Sequence, residues 1–165
     1  MTAGARYPAV HLERVIAAPP YRVYRAWLDP GLIRRWMAPG YEVTKVEVDE
    51  RAGGAYRVWH ADRGTSVGGF ECEILELVPG ERIVWRWGFA GPQRTDGPVY
   101  DSRLTVTLRG RPDGTSLLTL VHQRLDDLAA ALPDIAGQVH AGWDSVIGKL
   151  ASVVTAGETP DTEGD

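Results

Sequence analysis

The hydrophobic pattern of this chain changes period once, and late. From residue 41 to residue 123 apolar residues recur at every second position, in short runs separated by turn signals. From Pro133 to Thr155 apolar or small residues fall instead at 135, 139, 142, 143, 146, 150 and 153 or 154. A period of two buries one face of a strand, and a period of 3.6 buries one stripe of a helix. A chain patterned in this way predicts a set of strands whose apolar face is covered by one long C-terminal helix.

The punctuation sets the element order. Ala9 to Ala17 reads as a strand, stopped by Pro19-Pro20, which suits the first turn of a short helix carrying Val23, Ala26 and Trp27. Asp29-Pro30-Gly31 breaks that helix and opens a second, Leu32 to Met37, closed by Pro39-Gly40. Six strands follow: Tyr41 to Asp49, Ala55 to Ala61, Thr65 to Val78, Glu81 to Phe89, Val99 to Arg109 and Thr115 to Gln123. Gly53-Gly54, Asp62-Arg63-Gly64, Pro79-Gly80 and Pro112-Asp113-Gly114 supply turns, and Ala90 to Pro98 a loop. Within Thr65 to Val78 the apolar parity passes from Phe70, Cys72 and Ile74 to Leu75 and Leu77, which predicts a bulge near Leu75. The expected class is α+β, with a curved antiparallel sheet of seven strands around the long helix and two short helices after strand 1. One helix is too narrow to fill a strongly curved sheet, so a cavity is expected beneath it. Gly142 inside the helical stripe costs up to about 1 kcal/mol relative to alanine, and predicts close approach of another element or a ligand.

Composition narrows the function classes. Six tryptophans against two phenylalanines is a heavy indole content, and each buried indole N–H needs a partner. That content fits either a packed interior or the wall of a cavity for a flat, apolar molecule. A net charge of −4 argues against nucleic acid. No run approaches the roughly 18–20 apolar residues of a membrane span, and Met1 to Tyr7 carries no secretion signal. The single cysteine, Cys72, allows no internal disulfide and fits a reducing cytoplasm. Residues 1–8 and the acidic stretch 156–165 are expected to be disordered tails around one domain, 9–155.

No motif of established enzyme chemistry is present, and neither a metal nor a cofactor is expected. His60 and Asp62 share a strand face, but their place beside a turn fits a strand end better than a metal site. Cys72, between apolar positions, packs as a small hydrophobe rather than a nucleophile. Inward parity places Tyr56, Val58, Phe70, Cys72, Trp85, Trp87, Tyr100, Ser102 and His122 on the sheet's concave face. Trp36 and Met37 after the second helix, with Val139 and Trp143 on the long one, complete the predicted ligand wall. His122, His60 and Tyr100 are the groups able to move a proton or orient a ligand there. Glu71, Glu73, Arg57 and Arg103 have outward parity, the arginines being solvated.

The string RVIAAPPYRVYRAWLDPGLIRRWMAP resembles the N-terminal signature of the activator-of-heat-shock-protein-ATPase-like group. That group lies within the START-like, or SRPBCC, superfamily, which also holds polyketide cyclases and aromatases. The matching positions are Ala18-Pro19, Val23-Tyr24-Arg25-Ala26-Trp27, Asp29-Pro30 and Trp36, while Met37 and Ala38 depart from the family's second tryptophan and glycine. Gly53-Gly54-Ala55-Tyr56-Arg57, the Ile74 to Trp85 run, Gly114-Thr115 and Gly142-Trp143 continue the likeness. The resemblance implies the helix-grip fold and three functional expectations. The first is binding of a small hydrophobic or aromatic molecule between sheet and helix. The others are cyclase- or aromatase-type catalysis by a cavity histidine or tyrosine, and a co-chaperone-like protein-interaction domain, with a homodimer or a protein as partner.

Overall fold

The computed structural model describes residues 7–37, 40–91 and 99–156. Its elements are β1 (Val10–Ile16), α1 (Pro20–Leu28), α2 (Pro30–Trp36), β2 (Glu42–Val48), β3 (Ala55–Asp62), β4 (Thr65–Val78), β5 (Arg82–Ala90), β6 (Val99–Gly110), β7 (Ser116–Gln123), α3 (Asp126–Ala131), α4 (Pro133–Gly137) and α5 (Val139–Ala156). The strands form one antiparallel sheet in the order β1-β7-β6-β5-β4-β3-β2. β2 to β7 thus make a meander, and β1 closes it against β7. The curved sheet carries α5 with the two short helices after β1. This is the expected helix-grip architecture.

Local chemistry accounts for the opening helices. Prolines occupy the first turns of α1 and α2, and Asp29 both ends α1 and caps α2, its carboxylate accepting from Gly31 N (2.8 Å) and Leu32 N (3.4 Å). The last carbonyls of a helix lack intrahelical donors. Here Trp36 Nε1 donates to Ala26 O at 2.9 Å and Tyr56 Oη donates to Trp27 O at 2.7 Å. Those two bonds tie α2 and β3 to the end of α1 and leave both aromatic rings fully buried.

The bulge expected near Leu75 lies between Ile74 and Glu76. A second register shift lies between His60 and Ala61, opposite Gly68, whose φ of 106° suits glycine. An added Cβ at Gly68 would also lie 2.5 Å from Ala90 O. One expectation needs correction: the long helix does not begin at Pro133. Pro133–Gly137 is a separate short helix preceded by α3, and α5 starts at Val139. The proline satisfies helix-start chemistry for α4, and the chain turns again at Gly137 and Gln138. The expected tails lie outside the described residues except for Tyr7, Pro8 and Ala156, and most of the loop 90–98 does as well. Among the described residues no helix is long and apolar enough to cross a membrane.

The convex face is polar and cross-linked. Arg57 pairs with both Glu47 (3.0 Å) and Glu71 (2.8 Å), and Arg86 with Glu73 (3.4 Å) and Asp101 (2.8 Å). Glu71 and Glu73 therefore face outward as expected, while Arg57 is paired across three strands rather than simply solvated. Trp59 is the exception on this face. Its ring is buried over Gly69, and its Nε1 donates to Glu71.

Candidate functional site

The concave face carries two kinds of interior. Against β1, β6 and β7 it is filled, with Leu104, Val106, Leu118, Leu120 and Leu150 fully buried. Between β3, β4 and β5 and the start of α5 it is hollow. A cavity of about 460 Å³, within the range typical of small-molecule sites, is bounded by 18 residues. Phe70, Trp87, Phe89 and Gly68 form its floor, Val139, Gly142, Trp143 and Val146 its roof, and Met37 and His60 one side. Tyr41, Val67, Leu132 and Ile135 also line it while remaining more than a third exposed, so they form an apolar rim. None of the lining side chains is charged.

The aromatic rings are mutually braced. Trp87 lies 4.9 Å from Phe70 and 5.4 Å from Trp143, both tilted, and Trp85 meets Trp87 edge to face at 5.6 Å. Such offset and edge geometries match the positive rim of one ring to the negative face of another. Three indole N–H groups, those of Trp27, Trp85 and Trp87, have no hydrogen-bond acceptor among the described residues. Their surroundings are other rings: Trp27 is 4.7 Å from Trp36 and 5.4 Å from Trp85.

Trp143 is held by a buried polar chain. Its Nε1 donates to His122 Nδ1 at 2.9 Å, His122 Nε2 meets Ser102 Oγ at 2.7 Å, and Ser102 Oγ donates to Trp87 O at 2.9 Å. An indole nitrogen only donates, so His122 Nδ1 carries no proton and Nε2 carries one. Nε2 therefore donates to Ser102, and every member of the chain is satisfied. Burial holds His122 down to about 3, so the ring stays neutral, stacked on Phe89 at 5.7 Å. The chain fixes the orientation of two cavity walls, Trp143 and the Trp87 backbone.

His60 is placed differently. Its Nε2 lies 2.9 Å from Met37 O, and its ring meets Phe70 edge to face. A carbonyl only accepts, so Nε2 carries the proton and Nδ1 is a bare acceptor. Burial lowers its pKa, against the opposing effect of the Met37 bond.

The sequence-predicted residues therefore divide. Met37, His60, Phe70, Trp87, Val139 and Trp143 line the cavity together. Trp36, Tyr56, Val58 and Trp85 lie inward as expected, but in solid core beside α1 and α2 and away from the lining. His122 and Ser102 stand behind the wall, and Tyr100 sits on β6 opposite Phe89. Cys72 is also outside the lining, and burial pushes its thiol well up, keeping it protonated. Asp62 is exposed while His60 is buried, the register shift between them turning the strand end outward. The rim residues Tyr41, Val67, Leu132 and Ile135 escaped sequence reasoning. Tyr41 and Val67 stand near strand starts and Ile135 in the helical stripe, but periodicity does not show that these ends meet around one opening.

Gly142 has the opposite meaning to a close approach between elements. Nothing lies within 4 Å of an added Cβ, and the glycine borders the cavity. It leaves space.

Comparison with known proteins converges on one family. The family model described as Activator of Hsp90 ATPase homolog 1-like protein matches residues 17–155. Among solved structures, protein CV1439 of Chromobacterium violaceum is 35% identical, with 88% of this chain and 96% of that one covered and a TM-score of 0.74. Protein NE0264 of Nitrosomonas europaea is 22% identical over 92% of this chain and 96% of its own, also at 0.74. DynU16, a protein of the dynemicin biosynthetic locus, is 23% identical over 90% of this chain but only 48% of its own, at 0.62. The last two likenesses concern the fold alone. No curated protein matches the chain.

Proposed function

The chain belongs to the Activator of Hsp90 ATPase homolog 1-like family, and from that premise we propose that it binds a small, flat, mostly apolar molecule in the cavity beneath α5, within a reducing cytoplasm. The observation that carries this reading is the wall itself. Four aromatic side chains, Phe70, Trp87, Phe89 and Trp143, face a space of ligand size that no charged group enters. Sites of this kind hold ligands by shape and apolar contact, with a few polar groups setting orientation. The brace through His122 and Ser102 supports the reading, because it pre-sets Trp143 rather than leaving the ligand to order it.

The test is intrinsic tryptophan fluorescence during titration with naphthalene-type compounds. Saturable quenching at micromolar concentration is expected, with a matching rise in Tm from ligand linkage. Gly142→Leu, which fills space at the cavity border, is expected to weaken both responses in a folded protein. No quenching and no shift in Tm across the panel would overturn the reading. The apolar rim would then favour the alternative of a protein partner, and pull-downs would follow. Catalysis of the cyclase type in this cavity would fall to His60, and is read by turnover in the same samples.

A further inference from the structure

The proposed binding site contains one deep hydrogen-bond acceptor with nothing to do. His60 is 5% exposed and belongs to the cavity lining. Its Nε2–H is committed to Met37 O, and Nδ1 has no partner among the described residues. His60 lines the cavity, and with Nε2 turned to Met37 O, Nδ1 is the ring nitrogen left to meet a ligand there. A buried acceptor without a donor is costly, so a ligand that supplies one gains at this point.

The charge balance of the wall restricts that donor further. With no arginine or lysine among the lining residues, a carboxylate or phosphate would lose its hydration without a counter-ion. It would also present lone pairs to the Nδ1 lone pair. An ammonium ion would find no carboxylate. Of the other polar side chains of the lining, Tyr41 and Gln138 are exposed at the rim, Trp143 Nε1 is committed to His122, and Trp87 Nε1 is sealed off. We infer that the cavity selects neutral hydrogen-bond donors, phenols or N–H heteroaromatics, which present their O–H or N–H to His60 Nδ1 while their rings lie against Trp87 and Phe70. This rests on the binding reading above and names its ligand class.

Three matched probes separate the two claims: 2-naphthol, 2-methoxynaphthalene and 2-naphthoate, titrated by fluorescence at pH 8. For the wild-type protein, 2-naphthol is expected to bind about five times more tightly than its methyl ether, the range of one buried neutral hydrogen bond. The naphthoate is expected to bind more weakly than either. His60→Phe is expected to equalise naphthol and ether while still binding both. A measurement without substitution guards against misfolding of that variant. In protein carrying ¹⁵N-histidine, the Nδ1 resonance of His60 is expected to start at the bare-nitrogen position. It then moves upfield on addition of naphthol and stays in place with the ether. Equal affinity of naphthol and ether in the wild type, with an unmoved Nδ1 resonance, would overturn the inference and leave the binding reading standing. Tightest binding of the naphthoate would overturn it as well. Binding of none of the three would overturn the binding reading itself.

Discussion

The two halves of α5 cover the same sheet with opposite results. The C-terminal half buries Ile147, Leu150, Val153 and Val154, none of which borders the cavity. Arg14 of β1 spans the two halves, pairing with Asp144 at 2.8 Å and passing 3.3 Å from where a Cβ on Gly148 would lie. The N-terminal half presents Val139, Gly142, Trp143 and Val146, and all four border empty space. β1, α1 and α2 all pack on α5, and Trp27 of α1 lies 5.9 Å from Trp143. The hollow half faces β3 to β5, where Gly68 and Gly69 add no side-chain bulk beside the aromatic wall of Phe70, Trp87 and Phe89. The same helix stabilises the fold at one end and roofs the ligand site at the other.

Substitutions can break or sharpen that division. The largest effect is expected for Leu150→Ala, fully buried in the packed half, at about 3 kcal/mol lost in urea denaturation. Acidification comes next. His122 titrates near 3 when folded, below its ordinary 6.5, so the unfolded chain takes up its proton first. Stability is full above pH 6.5 and falls as pH drops toward 3, at about 1.4 kcal/mol per pH unit. The lowered pKa of His60 adds loss in the same direction. His122→Phe is expected to flatten this slope in denaturation curves taken between pH 6 and pH 4.5. An unchanged slope would mean that burial does not hold His122 neutral.

A matched pair gives a smaller but cleaner signal. Val154 is 4% exposed in the packed half and Val146 is 5% exposed over the cavity. Truncation to alanine removes the same atoms, yet Val154→Ala is expected to cost about 1 kcal/mol more, because Val146 already borders a void and loses fewer neighbours. Equal losses would argue that both halves pack alike. The smallest effect is a gain: Gly142→Ala is expected to raise stability by about 0.5–1 kcal/mol, since its Cβ meets nothing within 4 Å.

How far this division was legible in the sequence depends on the kind of information each position carries. Strand β4 reads cleanly as Thr65–Val78 because Asp62-Arg63-Gly64 and Pro79-Gly80 bracket it, and its bulge reads from the parity change at Leu75. Parity decides which face a side chain takes, and Tyr56, Val58, Trp85 and Trp87 all face inward. Whether an inward residue meets another side chain or a void depends on where α1 and α2 dock, which parity does not encode. Trp85 accordingly packs against Trp27 from α1, and Trp87 looks into the cavity. The bond between His122 and Trp143 is a similar case. Both residues stand out in the sequence, but the pairing depends on the tilt of α5, and Gly137-Gln138 hides where that helix begins.

The central claim is that the space beneath the first half of α5 is a real apolar site and the second half has none. Diffraction from crystals pressurised with xenon tests it most directly, because dry apolar cavities take up the gas. The account predicts anomalous density between Trp87, Phe89, Gly142 and Trp143, and none against Leu150 or Val154. An unoccupied space at Trp143, or xenon seated beneath the C-terminal half of the helix, would contradict it.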